Sequence, residues 1–253
     1  MNKYEIVKEL SSGNFGKIYK GKFNNSFYAI KEDSNYDLLN HEANIYRELR
    51  NIKFVSKLYD FFSSENIHYM VIDCFEENLF EYKNRIFNSI DYERLLIDIF
   101  SILFKTIKDI HDMGYVHRDL KPLNICLKNG FPYIIDFGLS KKIIENNNHI
   151  HEKQIKSIIG SYSFISCNVY NNIEPSRRDD IESLIYILIF MFLKENDEKN
   201  FVGFKFDLIT NRDLLNKIKI IKLDILNKIL IYTKKMKFSQ KPNYFYIINS
   251  LFL

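Results

Sequence analysis

The chain has 253 residues, 46% of them hydrophobic, 15% aromatic and 27% charged, with only 8 Gly and 4 Pro. That balance supports a sizeable core in one large domain or two intimately packed lobes, and it excludes a disordered, collagen-like or linker-dominated polypeptide. Its 36 basic and 32 acidic residues give a net charge of +4, too mild to demand a nucleic-acid partner.

The basic excess is local. Lys205 to Lys241 holds ten Lys/Arg against three Asp, which reads either as a solvated basic face or as a surface for an acidic partner. From Tyr4 to Asp33, short β-prone runs (YEIVKEL, KIYKGKF, SFYAIKE) are broken by Gly and Asn, the pattern of a small antiparallel meander. The opening MNKYEIVKEL carries charges where a secretory signal needs an apolar stretch, so an intracellular protein, cytoplasmic or nuclear, is expected. LLNHEANIYRELR places Leu38, Leu39, Ile45, Tyr46 and Leu49 at helical spacing, which predicts an amphipathic helix. Tyr69 to Asp73 (YMVID) reads as a further strand.

After about Phe75 the pattern changes. Leu95 to His111 (LLIDIFSILFKTIKDIH) is strongly helical, and most later segments are long apolar-periodic stretches. The expected organisation is one domain over 1–253, with a β-rich lobe over about 1–75 and a helical lobe over about 76–253. The longest uncharged apolar run, Leu184 to Leu193, is about half of the roughly 20 residues that span a bilayer. It predicts a buried helix, with no membrane partner expected. Asn146 to Asn148 reads as a short polar loop. Cys74, Cys126 and Cys167 fall at unrelated spacings, which fits a reducing compartment and implies no zinc.

Four segments carry chemistry. Ser11-Ser12-Gly13-Asn14-Phe15-Gly16-Lys17-Ile18 is a glycine-containing turn between strands. Missing side chains there let backbone N–H groups approach phosphate oxygens, although two isolated glycines also describe a plain hairpin. Tyr28-Ala29-Ile30-Lys31 ends an apolar strand in a lysine, and Glu42 follows on the next helix. A lysine leaving a buried strand needs an anion, which a helix glutamate and a nucleotide phosphate would supply; an edge-strand lysine in solvent is the plain alternative. His117-Arg118-Asp119-Leu120-Lys121-Pro122-Leu123-Asn124 puts a carboxylate, a lysine two residues on and a carboxamide five residues on within one Pro-containing loop. That set can hold a hydroxyl nucleophile, a transferring phosphate and a metal ion together. Ile134-Ile135-Asp136-Phe137-Gly138 ends an apolar strand in an aspartate, costly to bury without a counter-charge such as magnesium.

In this order the four segments resemble the protein-kinase signature set. The resemblance implies an α+β, bilobal fold with an antiparallel β-sheet N-lobe and a helical C-lobe. It narrows to the casein kinase I family on Ser166-Cys167-Asn168, where that family has S-I-N, and on Ser176-Arg177-Arg178-Asp179-Asp180-Ile181-Glu182-Ser183-Leu184, similar to its S-R-R-D-D-L-E-S-L. Lys237 to Tyr246 (KFSQKPNYFY) is similar to the family's R-F-D-D-K-P-D-Y-S-Y.

The resemblance implies a protein serine/threonine kinase using ATP and Mg2+ on protein substrates, as a monomer. Lys31 would hold the α/β-phosphates and pair with Glu42, Asp119 would accept the substrate hydroxyl proton, and Lys121 would neutralise the γ-phosphate. Asn124 and Asp136 would bind magnesium. Ser11, Ser12, Gly13, Asn14, Phe15 and Gly16 would cover the phosphates. The adenine would lie between Leu10, Ile18 and Ala29 above and Cys126 below, with Asp73 and Phe75 backbone groups at the hinge and Ile72 as gatekeeper. Lys121 argues for serine/threonine targets, since tyrosine kinases usually lack lysine there. Asp180 would cap the catalytic-loop backbone, and Arg177 and Arg178 would make internal ion pairs. His149 and His151 form an H-x-H without a third ligand, which does not make a metal site.

The chain also departs from the family. Ser11 takes the first glycine position of G-x-G-x-x-G, Ile185 stands where the family has Gly, and the L-P-W-x-G segment is not found after the apolar helix, where Leu193 to Glu198 stands instead. Gly160-Ser161-Tyr162-Ser163-Phe164 replaces G-T-A-R-Y, so Ser163 occupies the place of the arginine that binds a substrate's phosphate or acidic group. Two other readings remain open on sequence: a pseudokinase or scaffold that binds nucleotide and partner proteins without efficient transfer, and a small-molecule phosphotransferase. The intact set of Lys31, Glu42, Asp119, Asn124 and Asp136 favours the enzyme over the first, and the long segment ending near Asn168 disfavours the second.

Overall fold

The computed structural model describes residues 3–13, 16–194, 198–207 and 223–252. Five strands open the chain: β1 (Glu5–Gly13), β2 (Gly16–Phe23), β3 (Ser26–Asp33), β4 (Leu58–Ser64) and β5 (Ile67–Asp73), with helix α1 (Tyr36–Glu48) inserted after β3. They form one antiparallel sheet in the order β1-β2-β3-β5-β4. Asn24-Asn25 joins β2 to β3 and Glu65-Asn66 joins β4 to β5, all four residues with positive φ. Two consecutive left-handed residues match the twist of a two-residue hairpin, and asparagine's short carboxamide tolerates that conformation. Strand period sends Ile30 into a small aromatic cluster with Tyr4, Tyr69 and Val71, while its neighbours Ala29 and Lys31 turn to the other face, toward the cleft.

Helix α1 begins at Asn35, whose side chain accepts the Leu38 N–H, satisfying one of the orphan donors of the first turn. Its buried stripe is Leu39, Glu42, Ala43 and Tyr46, the i, i+3, i+4, i+7 face of a helix. A glutamate therefore occupies a core position.

Short strand β6 (Glu77–Asn78) leads into α2 (Leu79–Ile86) and the long α3 (Tyr92–Asp112). The apolar stripe Leu96, Phe100, Leu103, Phe104, Ile107 and Ile110 of α3 is buried. Next come β7 (Tyr115–Val116), β8 (Ile125–Lys128), β9 (Phe131–Ile134), β10 (Lys141–Lys142), β11 (Ile144–Glu145) and β12 (Asn148–His149), then α4 (Cys167–Tyr170) and α5 (Arg177–Phe192). The run at 184–193 falls mainly in α5, whose residues are buried almost throughout, as expected of a helix apolar all round. The C-terminal carbonyls of α5 are answered from outside: Tyr92 donates to the Met191 carbonyl and Lys83 to that of Leu193. α6 (Phe201–Phe204), α7 (Leu223–Lys234) and α8 (Tyr244–Ser250) complete the described helices. The fold is α+β, a sheet-bearing lobe on a helical one.

Two sequence expectations need correction, and one strand was not foreseen. β4 was not read from the sequence, because a register shift between Leu58 and Asp60 breaks its alternation. The polar loop is narrower than read: Asn146-Asn147 is a hairpin tip, and Asn148 already belongs to β12. Of the basic stretch, 208–222 lies outside the described residues, while Lys205 is fully buried and so belongs to no solvated face. Asn14 and Phe15 also lie outside the described residues. No helix among the described residues is long and apolar enough to cross a membrane.

Candidate active site

Between the sheet and the helical lobe lies a cleft of about 520 Å³. Leu10, Ser11, Ile18, Ala29, Lys31, Ile72, Asp73, Phe75, Cys126 and Asp136 all line it, so residues from widely separated segments converge as the sequence reading expects. Ile18 pairs with Lys31 across β2–β3, and Ala29 with Ile72 across β3–β5, which sets these side chains side by side. Burial pushes the Cys126 thiol up to about 12, so at neutral pH it is an uncharged floor. The Asp73 carboxylate faces away from a nucleotide role: it accepts from the Lys57 N–H at 2.8 Å, the Tyr59 hydroxyl at 3.1 Å and Lys128 Nζ at 3.2 Å. That leaves the backbone as Asp73's contribution to the cleft. Leu123 and Ile135 also line it and were not singled out on sequence.

Ser12 and Gly13 end β1 and Gly16 opens β2, at the tip of the hairpin over the cleft. Gly16 has φ +88°, and a Cβ there would lie 1.8 Å from the Glu32 carbonyl oxygen. Only glycine fits both constraints.

Lys31 Nζ lies 2.7 Å from Glu42 Oε2 and 3.2 Å from Asp136 Oδ1. Burial disfavours its ammonium, but the two carboxylates outweigh that and hold Lys31 above the usual lysine range. Burial likewise acts against the charge of Asp136, yet Lys31 beside it keeps that carboxyl below its usual range. Both groups are therefore ionised at neutral pH. Asp136 has φ 65° and its N–H donates to the Tyr46 hydroxyl at 2.9 Å. Phe137 is fully buried between Tyr46 and His117, with ring centroids 5.1 and 5.0 Å away. Tyr46 lies four residues after Glu42, so one helix face positions both the lysine's partner and Asp136.

The loop after β7 is built around two aspartates. Asp180, fully enclosed at the start of α5, accepts the N–H of His117 at 2.7 Å and of Arg118 at 3.0 Å, and contacts His111 Nε2 at 2.9 Å. This is the cap the resemblance implied. Asp119 Oδ1 accepts the Ser161 N–H at 2.7 Å, and its Oδ2 accepts from Lys121 Nζ at 2.7 Å and Asn124 Nδ2 at 3.3 Å. Asn124 Nδ2 also donates to the Asp119 carbonyl at 2.9 Å, which leaves its carboxamide oxygen as the group to offer a cation. With the ionised Asp136, that gives two hard oxygen donors, a set suited to magnesium, which is commonly held by one or two protein oxygens plus phosphates and water.

Arg178 makes the expected ion pair, with Glu152 at 2.6 Å. Arg177 does not: it donates to the Ser239 carbonyl at 3.4 Å, and no ion pair among the described residues includes it. Two further contributors escaped the sequence reading. Glu174 is buried and lies 3.0 Å from Lys141 and 3.5 Å from Arg118, so a carboxylate of the chain itself meets the arginine next to Asp119. Ser161 reaches Asp119 through its backbone, for which no side-chain signal exists.

A cleft with a lysine-carboxylate pair above and an Asp-Lys-Asn loop below is the arrangement of a protein kinase domain. The family model for the protein kinase domain matches residues 4–239. A probable casein kinase I homolog of Encephalitozoon cuniculi (strain GB-M1) is 30% identical over 270 aligned positions, covering 98% of this chain and 83% of that protein. The chain belongs to the protein kinases and, among them, to the casein kinase I family.

Proposed function

We propose that the chain is an active protein serine/threonine kinase that transfers the γ-phosphate of ATP, with magnesium, to hydroxyl groups of protein substrates. The observation that carries this reading is that Lys31, Glu42, Asn124 and Asp136 line one cleft and Asp119 lines the adjoining pocket that shares Lys31, Glu42 and Asp136 with it, with the lysine-glutamate pair closed at 2.7 Å. Phosphoryl transfer asks the protein mainly for positioning and charge stabilisation. Lys31, fixed by Glu42, holds the nucleotide phosphates. Asp119 orients the acceptor hydroxyl and takes its proton. Lys121, 2.7 Å from Asp119, places a positive charge where the transferring phosphate carries its negative charge. A magnesium ion held by Asn124 and Asp136 would neutralise charge on the phosphate oxygens. Lys121 supports serine or threonine rather than tyrosine as acceptor.

The same reading makes protein substrates the partners, and it places the protein inside the cell, where ATP and magnesium are present and Cys74, Cys126 and Cys167 stay unpaired thiols. Transfer of label from γ-labelled ATP to casein by the purified chain tests it. Label in casein supports the reading; nucleotide binding without transfer would make the chain a pseudokinase instead.

A further inference from the structure

Beneath the turn that follows Gly160, Lys205 is fully buried. It opens the 3-10 turn Lys205–Asp207 directly after α6. Its Nζ donates to the main-chain oxygens of Tyr162 at 2.5 Å and Ile165 at 3.1 Å. The rings of Tyr162, Tyr186 and Phe206 surround it, with centroids 5.6, 5.5 and 4.5 Å from the ammonium.

An ammonium withdrawn from water is costly unless hydrogen bonds and opposing charge compensate. Here two carbonyls and three ring faces do so, together with the negative field of Glu182. That glutamate is itself fully buried, and its Oε2 has no hydrogen-bond partner among the described residues. Burial pushes Lys205 down to about 8, with Glu182 opposing the shift. The cation therefore persists at neutral pH, and both bonds to the turn are charge-assisted.

What these bonds hold is the strip of backbone beside Asp119. Its first residue, Ser161, donates its N–H to Asp119 Oδ1 at 2.7 Å. Its far end is tied to α5, where Cys167 N donates to Glu182 Oε1 at 3.0 Å and Ser166 Oγ to Asp179 Oδ1 at 2.6 Å. Lys205 grips the two carbonyls in between.

We infer that Lys205 is a positioning residue for the protein substrate: by pinning the Tyr162 and Ile165 carbonyls it fixes the 161–165 turn against Asp119, where the acceptor segment must lie. The inference rests on the kinase reading above. It predicts a selective defect, because the nucleotide contacts of Lys31 and Asp136 lie on other elements while the acceptor side loses its support.

The test compares wild type with Lys205→Met and Lys205→Arg in two measurements: steady-state rates with ATP and a casein-derived peptide varied separately, and amide hydrogen exchange along 160–166. Lys205→Met is expected to lower kcat/KM for the peptide about tenfold with the ATP KM within about twofold. It should speed exchange at 161–165 while leaving 117–124 protected, and Lys205→Arg should recover part of both. Should Lys205→Met fail to fold, Lys205→Gln, which keeps a donor, must show the same pattern at smaller size. Equal changes for peptide and ATP, exchange raised throughout the helical lobe, or no change in either measurement would each overturn the assignment. A wild-type chain that transfers no phosphate removes the kinase reading and the substrate role with it, and the exchange pattern then decides separately whether Lys205 pins the turn.

Discussion

Asp180 holds His117 by its backbone: the carboxylate accepts that N–H at 2.7 Å while both residues are closed off from water. The neighbouring Arg118 sits at φ 73°, a conformation that non-glycine residues avoid, and its N–H is satisfied by the other oxygen of the same carboxylate. His111 Nε2 faces an acceptor-only group, so it carries the hydrogen there, and its Nδ1 accepts the Tyr244 hydroxyl at 2.6 Å. A carboxylate at the start of α5 thus sets the backbone course of the loop that presents Asp119.

Asp180→Asn turns one of these acceptors into a donor facing other donors. Leaving buried N–H groups without partners costs about 1–3 kcal/mol each. Thermal unfolding is expected to show a loss of this order, and kcat should fall although Asp180 touches no substrate. Unchanged stability and unchanged kcat would contradict the role.

Much of the site was legible because its chemistry is written in short segments: Lys31, Asp119, Asn124 and Asp136 each stand inside a motif of a few residues. What joins them was not. The Lys31–Asp136 contact spans 105 positions, and nothing local to either residue states the distance at which they meet. Glu174 and Lys205 carry no motif and are known only by what they touch. Lys205 was counted within a basic stretch read as either a solvated face or an acidic-partner surface, and it fits neither because charge counted along a sequence does not register burial; β4 carries no readable signal because its register shift interrupts the alternation by which strands are recognised. The helices over 36–48 and 92–112 were readable because their apolar periodicity is long and regular; the second extends beyond its periodic core at both ends, while the first starts two residues before Leu38 and ends one short of Leu49.

Lys31→Met removes a cation held by two carboxylates and leaves Glu42 buried without its partner. The positioning of the phosphates matters most where charge develops in transfer. Turnover is therefore expected to fall by more than ATP affinity, as judged by kcat against calorimetric Kd. Equal losses in the two would show a role confined to ground-state binding.

Ser163 bears on substrate choice. It follows Tyr162 on the turn beside Asp119, where the casein kinase I resemblance places an arginine that reads a phosphate or acidic group. A charge-assisted bidentate contact to phosphate is among the stronger polar interactions, and Lys153 and Lys156 on the preceding segment replace it poorly. The preference of wild type for a peptide with a phosphorylated over an unphosphorylated priming position should be modest and should rise in Ser163→Arg. A strong wild-type preference, unaltered by the substitution, would sink this account.

The most direct test of the central claim is phosphate transfer by Asp119→Asn. Asp119 receives Ser161, Lys121 and Asn124 on its two oxygens, and the isosteric amide keeps the shape while removing the proton acceptor. Initial rates of γ-phosphate transfer from ATP to casein, measured alongside nucleotide affinity, should fall by a factor of about 10²–10⁴ with affinity largely retained. Wild-type turnover in Asp119→Asn would contradict the account.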